Sequence, residues 1–125
     1  MRTLRDRLTD VCQQLHFKVT EVDDLIVAIR FQMHDVHICY NEKSPDDCIV
    51  LVPVVKNVPD SERQQVLERC NSLNERLKHS KYYIAGSGVV ATIEFLFEND
   101  EELKYQLEHA VRLVSQAKTT YEQYE

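Results

Sequence analysis

Four side chains that could bind a metal or carry redox chemistry lie close together in the sequence. They are His34, His37, Cys39 and Cys48. If residues 36–40 form a strand, His37 and Cys39 share one face, about 7 Å apart along the chain. A neighbouring strand that placed Cys48 opposite Cys39 would make the two thiols adjacent. Imidazole and thiolate groups are zinc ligands, so this set could form a metal site or a reactive thiol pair.

The spacing of these residues argues against that chemistry. We expect His34 in a turn, and its even position gives it the wrong parity to share a strand face with His37. Neither Cys-x-x-Cys nor His-Glu-x-x-His occurs in the chain. The favoured interpretation is that Cys39 and Cys48 are reduced and pack as small hydrophobic residues, with no metal or cofactor. A metal- or thiol-dependent switch or enzyme that uses Cys39, Cys48 and His37 stays open as an alternative.

The remaining motifs give no catalytic residue. Both glycines of the chain flank Ser87, as Gly-Ser-Gly at residues 86–88. A phosphate loop or a nucleophile elbow needs a helix directly afterwards, whereas a β-type run follows here, so we predict a hairpin turn. Glu94 is the carboxylate nearest to an apolar run, but strand alternation places it on a half-polar face. We therefore expect a protein that is not an enzyme.

Composition restricts the class of partner. The chain has 125 residues, which predicts a single domain over residues 1–125. Its net charge is −6, from 21 acidic and 15 basic residues, which argues against nucleic acid as a partner. No stretch approaches the roughly 20 apolar residues of a membrane span, and charges interrupt the first ten residues, so neither a membrane segment nor a signal peptide is expected. We expect a cytoplasmic protein with four free thiols.

The fold is organised around the uncharged apolar stretch at residues 48–55. Five of these eight residues are β-branched, which favours a strand. Val50 and Val52 then lie on one face and Ile49 and Leu51 on the other, so both faces are apolar. Pro53 has no amide hydrogen to donate, which predicts that the strand is at a sheet edge or close to its end there.

Hydrophobic periodicity assigns the other elements. The predicted order is a helix over residues 2–16, strands over 18–22, 25–31 and 36–40, the strand at 48–55, a helix over 59–79, strands over 81–85 and 89–98, and a helix over 99–121. Capping boxes begin the last two helices, at Ser61 with Gln64 and at Asn99 with Glu102. This order predicts an α+β fold with an antiparallel sheet of five to six strands and helices mainly on one face.

The three-strand meander presents one strongly apolar face and one mixed face. We expect Phe31 opposite Val36, which sets the register of the second and third strands. The strand at 48–55 adds Val50 and Val52 to the mixed face, or Ile49 and Leu51 in the alternative register. The candidate partner-binding or dimer face therefore comprises Ile26, Ala28, Arg30, His37, Val50 and Val52. An exposed apolar patch of this kind usually marks an interface.

The element order and three short segments resemble the YbjN family of bacterial sensory transduction regulators, whose fold is similar to that of type III secretion chaperones. The segments are CNSLNERL at residues 70–77, KYYI at 81–84 and GVV at 88–90. The family usually has an acidic residue in the hairpin turn, where this chain has Ser87. The resemblance implies a dimeric, non-enzymatic, protein-binding module and offers no catalytic residues.

Together these observations favour a chaperone-like or regulatory adaptor. Such a protein would self-associate through its sheet or its helices and hold a client segment against apolar sheet surface. Its expected partners are therefore a second copy of the chain, a client protein, or both. A small-ligand sensor with a pocket between sheet and helices is a further alternative, although the sequence nominates no pocket residues.

Overall fold

A computed structural model describes residues 2–123 of the chain. The helices are α1 (Leu4–Gln14), α2 (Arg63–Arg76), α3 (Asp100–Val114) and α4 (Ala117–Gln123), with a 3-10 turn at Asp60–Glu62. The strands are β1 (Lys18–Val22), β2 (Ile26–Phe31), β3 (His34–Cys39), β4 (Asp47–Asn57), β5 (Lys81–Ala85) and β6 (Gly88–Leu96).

The six strands form one antiparallel sheet in the order β1-β2-β3-β4-β6-β5. All four helices contribute side chains to one buried core cluster, which they share with a single face of the sheet. Leu8 of α1, Leu73 of α2 and Leu107 of α3 are completely buried in it. This arrangement confirms the predicted α+β class, the antiparallel sheet and the placement of the helices on one face.

The pairing of β4 determines which residues face the helices. Val50 lies opposite Ile38 of β3 and Ile93 of β6, and it is completely buried in the core cluster. Val52 lies on the same side and is 6% exposed. The assignment of Val50 and Val52 to the mixed face is therefore wrong. The alternative register applies, because Ile49 and Leu51 share the opposite face with their β3 partners.

The turn between β2 and β3 is tighter than predicted. Only Gln32 and Met33 lie between the strands, and both have positive φ, 49° and 69°. Positive φ at both central residues is the geometry of a two-residue hairpin whose twist matches that of its strands. Phe31 consequently faces His34 instead of Val36, so the predicted register is off by two residues. An even shift leaves every side chain on its predicted face.

Pro53 lies beyond Leu51, the last residue of β4 that pairs with β3, so β4 is a sheet edge on that side there, as predicted, although the strand continues to Asn57. The pairing of β4 with β6 is regular up to Val52, resumes at Lys56, and shifts in register between them. A bulge of this kind accommodates a residue that cannot donate a ladder hydrogen bond. Past it, Val54 points to solvent and Val55 into the core.

The predicted capping signals are half right. Asn99 Oδ1 accepts a hydrogen bond from the Glu102 amide at 2.8 Å, which caps α3 as expected. Ser61 makes no capping hydrogen bond, because residues 60–62 form a 3-10 turn that leads into α2. The Ser61–Gln64 capping box was therefore wrong.

The last predicted helix is two helices. α3 ends at Val114, and the Ser115 hydroxyl donates to the Arg112 carbonyl at 3.0 Å. A side chain that bonds back to the preceding turn offers the backbone an alternative to continued helix. Ala117 and Tyr121 of α4 are still buried, so the apolar stripe continues across the break.

The Asn74 side chain closes one edge of the sheet. Its amide nitrogen donates to the Tyr82 carbonyl at 2.8 Å, and its oxygen accepts from the Tyr82 amide at 2.7 Å. Tyr82 belongs to β5, the last strand of the sheet. The asparagine thus occupies the donor and acceptor that another strand would use at this residue.

We predict that Asn74→Ala lowers the free energy of unfolding by about 1–3 kcal/mol, because it leaves a part-buried donor and acceptor of β5 without partners. Urea denaturation measures this loss. Asn71→Ala is the matched control, since Asn71 is exposed on the same helix and should change stability by less than about 0.5 kcal/mol. Equal losses in the two variants would contradict the assigned role.

Candidate functional site

The face of the sheet opposite the helices is the candidate site, and we call it the outer face. No residue of this face belongs to the core cluster that the helices form with the sheet. From β2 to β6 the outer face includes Ile26, Ala28, Arg30, Asp35, His37, Cys39, Asp47, Ile49, Leu51, Val90, Thr92, Glu94 and Leu96.

The strand pairings place five small or apolar side chains of the outer face side by side. One row runs through Ala28, His37 and Leu51, and the next through Ile26, Cys39 and Ile49. The apolar members of the two rows, Ile26, Ala28, Cys39, Ile49 and Leu51, form what we call the apolar strip. Ala28 is buried and the other four are half-buried, although no helix lies over them.

Polar and charged side chains lie on two sides of the apolar strip. Arg30 and Asp35 face each other across β2 and β3 and form an exposed ion pair of 2.9 Å. Thr92 and Glu94 of β6 lie beside Leu51 and Ile49 on the other side. His37 lies in the middle of the strip, between Ala28 and Leu51. The outer face therefore combines an apolar centre with a polar rim, which is the usual anatomy of a protein interface.

Ile26, Ala28, Arg30 and His37, predicted for this site, do share the outer face. Val50 and Val52 do not, and Ile49 and Leu51 take their places. Sequence reasoning could not choose between the two pairs, because both sides of β4 are equally apolar. That the outer face binds a partner stays a prediction.

The sheet separates Cys39 and Cys48, the two thiols with which the sequence could form a metal or redox site. Cys39 lies on the outer face opposite Ile49, whereas Cys48 lies on the core face opposite Phe95 and is 1% exposed. The condition for adjacent thiols, Cys48 opposite Cys39, is not met, because Cys39 pairs with Ile49, one residue further along β4. Among residues 2–123 no three His, Cys, Asp or Glu side chains are grouped so that they could hold a metal ion.

Burial makes these thiols less acidic than usual. It raises the pKa of Cys12 to about 12 and raises that of Cys48 as well. The pKa of Cys39 is raised first by burial and then by the nearby Asp23 carboxylate. Reactive cysteines have lowered pKa values, so none of these thiols has the environment of a nucleophile.

The two edges of the sheet differ. The β5 edge is closed at Tyr82 by Asn74, whereas all five residues of β1 are exposed. β1 is short, carries Lys18 and Glu21, and pairs irregularly with β2 between Val19 and Glu21. Short length, charge and a bulge are features by which natural edges resist pairing with other strands. We therefore centre the candidate site on the outer face and not on either edge.

Comparison with models of known protein families shows the family of this chain. A model of the YbjN family, described as "Putative bacterial sensory transduction regulator", matches residues 4–124. The chain belongs to the YbjN family. None of the helices within residues 2–123 has the length and apolar character that crossing a membrane requires. No curated protein matches the sequence.

Solved structures with the same fold include a family member and type III secretion proteins. YbjN from E. coli has a TM-score of 0.67 at 10% identity, with 90% of this chain and 87% of that one covered. The ExsC–ExsE complex gives 0.65 at 10% identity, with 98% and 96% covered. The Yersinia pestis type III secretion chaperone SycH, in complex with a fragment of YscM2, gives 0.55 at 15% identity, with 94% and 98% covered. The type III secretion chaperone-like fold is therefore confirmed.

We predict that Cys39 alone reacts with a thiol reagent in the folded protein. Cys12, Cys48 and Cys70 are buried and should react only after unfolding in urea. Because burial raises the pKa of Cys39, its labelling rate should continue to rise above pH 8.5, near the ordinary thiol pKa. Absorbance kinetics with Ellman's reagent measure both, and Cys39→Ser should abolish the early phase. Two thiols that react together, or a Cys39–Cys48 disulfide, would contradict the arrangement.

Proposed function

We propose that this protein is a non-enzymatic protein-binding module, a chaperone-like or regulatory adaptor, and that a protein partner covers its outer face. The observation that carries the proposal is the apolar strip, which has no helix over it. An antiparallel sheet with one face in water normally has polar side chains on that face. Ile49 and Leu51 depart from that rule at the centre of the sheet.

The chemistry of the outer face describes the partner. The apolar strip suits a segment that presents several aliphatic or aromatic side chains. The rim holds both signs of charge, Arg30 with Asp35 at one end and Glu94 at the other, so it favours a segment with mixed charges. Rim charges of this kind steer and orient a partner more than they add affinity.

Proteins with this fold have been solved with protein partners, which supports the proposal. ExsC was crystallised with ExsE, and SycH with a fragment of YscM2. At 10% and 15% identity these relatives establish the fold, and the binding of a protein by this chain is our inference. The free thiols of Cys12, Cys39, Cys48 and Cys70 fit a reducing compartment such as the cytoplasm.

Self-association is the second part of the proposal. Two copies that bury their apolar strips against each other would form a permanent dimer, whereas a client would cover the strip transiently. Light scattering at several protein concentrations separates these arrangements. A dimer at all concentrations favours the first, and a monomer whose mass rises only with added client favours the second. A strictly monomeric protein that binds neither a client nor an apolar dye would contradict the proposed function.

An enzymatic role finds less support in the geometry. The thiols lie on opposite faces of the sheet and have raised pKa values. The pKa of the Asp23 carboxyl is lowered from its ordinary value. Its lowering comes first from the backbone amides of Leu25 and Ile26, which donate to it in the turn before β2. That pattern stabilises a turn and does not activate a general acid or base.

The function can be tested at Leu51. A partner is first identified by irradiating protein that carries a photo-crosslinker on Cys39, the thiol of the apolar strip, in extract of its native cell. Calorimetry then compares the affinity of that partner for the wild type and for Leu51→Gln. Burying a leucine contributes about 1.5–3 kcal/mol, so we predict that Leu51→Gln weakens binding by at least about tenfold.

Leu67→Gln is the matched control for this measurement. Leu67 is 43% exposed on α2, on the other side of the molecule, and its change should leave affinity within about twofold. Both variants should keep the melting temperature of the wild type to within a few degrees. Equal weakening by the two variants, or unchanged binding by Leu51→Gln, would place the partner elsewhere.

A further inference from the structure

A second feature of the molecule lies on the helix side, where a cleft of about 440 Å³ opens between the end of β4, α2 and α4. Three cationic side chains line it, Lys56 from β4, Arg69 from α2 and Lys118 from α4. Glu122 is the one carboxylate in its lining. A chain with a net charge of −6 thus gathers a local excess of positive charge in one concave site.

These three cations are not used in ion pairs. In the described part of the chain, the ion pairs within 4.0 Å are made by arginines at positions 2, 5, 7, 30 and 112. Lys56, Arg69 and Lys118 are absent from them. Their charges are therefore available to a ligand, and the mutual repulsion of three nearby cations would be relieved by an anion.

Arg69 is held in place before any ligand binds. Its Nη1 donates to the Tyr121 carbonyl at 3.0 Å, and its guanidinium carbon lies 5.2 Å from the centre of the Tyr121 ring. A guanidinium has five N–H donors, so most of them stay free while the group is fixed. Fixing a donor in advance lowers the entropic cost of binding. The contact with Tyr121 gives Arg69 a structural role in packing α2 against α4. It does not account for the positions of Lys56 and Lys118 in the same cleft.

The bulge in β4 brings Lys56 to the cleft. The register shift between Val52 and Lys56 turns Val55 into the core and leaves Lys56 and Asn57 at the cleft wall. The Asn57 amide adds a neutral donor to the three cations. The register shift that follows Pro53 therefore places Lys56 and Asn57 in the lining of the cleft.

We propose that this cleft binds a small dianion, a phosphate monoester or a dicarboxylate. Three cations and one carboxylate leave a net charge of +2, which matches such a ligand. The volume of about 440 Å³ lies within the range of roughly 300–1,000 Å³ that is usual for small-molecule sites. Arginine with lysines is the side-chain set that recognises phosphate and carboxylate groups. This site is independent of the proposed protein-binding face and would make the module responsive to a ligand.

The experiment titrates the full chain, labelled with ¹⁵N, with glycerol 3-phosphate in one arm and succinate in the other. Sodium chloride keeps the ionic strength constant, because exposed charges are screened by salt. We expect saturable shifts of the backbone amides of residues 56, 57, 118 and 121 in at least one arm. The arm with the lower Kd identifies the phosphate or the carboxylate as the preferred group.

The double variant Lys56→Gln, Lys118→Gln should weaken that binding by at least about tenfold. The matched control is Lys43→Gln, Lys81→Gln, which changes the net charge equally at exposed positions outside the cleft and should leave Kd within about twofold. Lys118→Arg, which keeps the charge, should retain binding. The proposal is overturned if neither probe gives saturable shifts, if the shifts map outside the cleft, or if the control weakens binding as much.

Discussion

The pairing of β4 with β3 and β6 is the constraint on which the rest of the structure depends. β4 is apolar on both sides, so a slip of one residue would exchange Val50 for Leu51 at little cost in β4 itself. β3 holds Val36 and Ile38 on the core face and His37 on the outer face. The pairing of Ile38 with Val50 and of His37 with Leu51 therefore sets the faces of β4, because directly opposite residues share a face. Val50 therefore enters the core, and Ile49 and Leu51 remain on a face that no helix covers.

Much of the architecture follows from the sequence because local patterns determine it. Alternation assigned Ile26–Phe31 of β2 and residues 36–39 of β3 to their correct faces, even though the turn was misplaced. Leu25, also predicted for the apolar face, precedes β2 and is 67% exposed. The turn at Gln32 and Met33 needs positive φ at both residues. Its usual sequence signal is Asn-Gly, so these two residues do not predict it. The error of two residues in the β2–β3 register left every paired side chain on its predicted face. Which side of β4 faces the helices could not be predicted, because both sides are apolar.

Contacts between different helices and strands could not be predicted either, because no local pattern determines them. Asn74 closes the edge of β5 by bonding Tyr82, and the family resemblance pointed to both segments without giving their connection. Arg69 of α2 bonds Tyr121 of α4, which no periodicity could reveal. The sheet also separates Cys39 from Cys48, two residues that seemed a natural pair only while the register of β4 was open.

The central claim is that a protein partner covers the outer face when this protein carries out its function. The most direct measurement is carbene footprinting with mass spectrometry, on the protein alone at low concentration and in its complex from the native cell. Our account predicts that labelling of the outer-face residues of β2, β3 and β4 falls several-fold in the complex, while Leu67 and Tyr105 on the helices stay labelled. Unchanged labelling of Ile49 and Leu51, with protection confined to the helices, would contradict it.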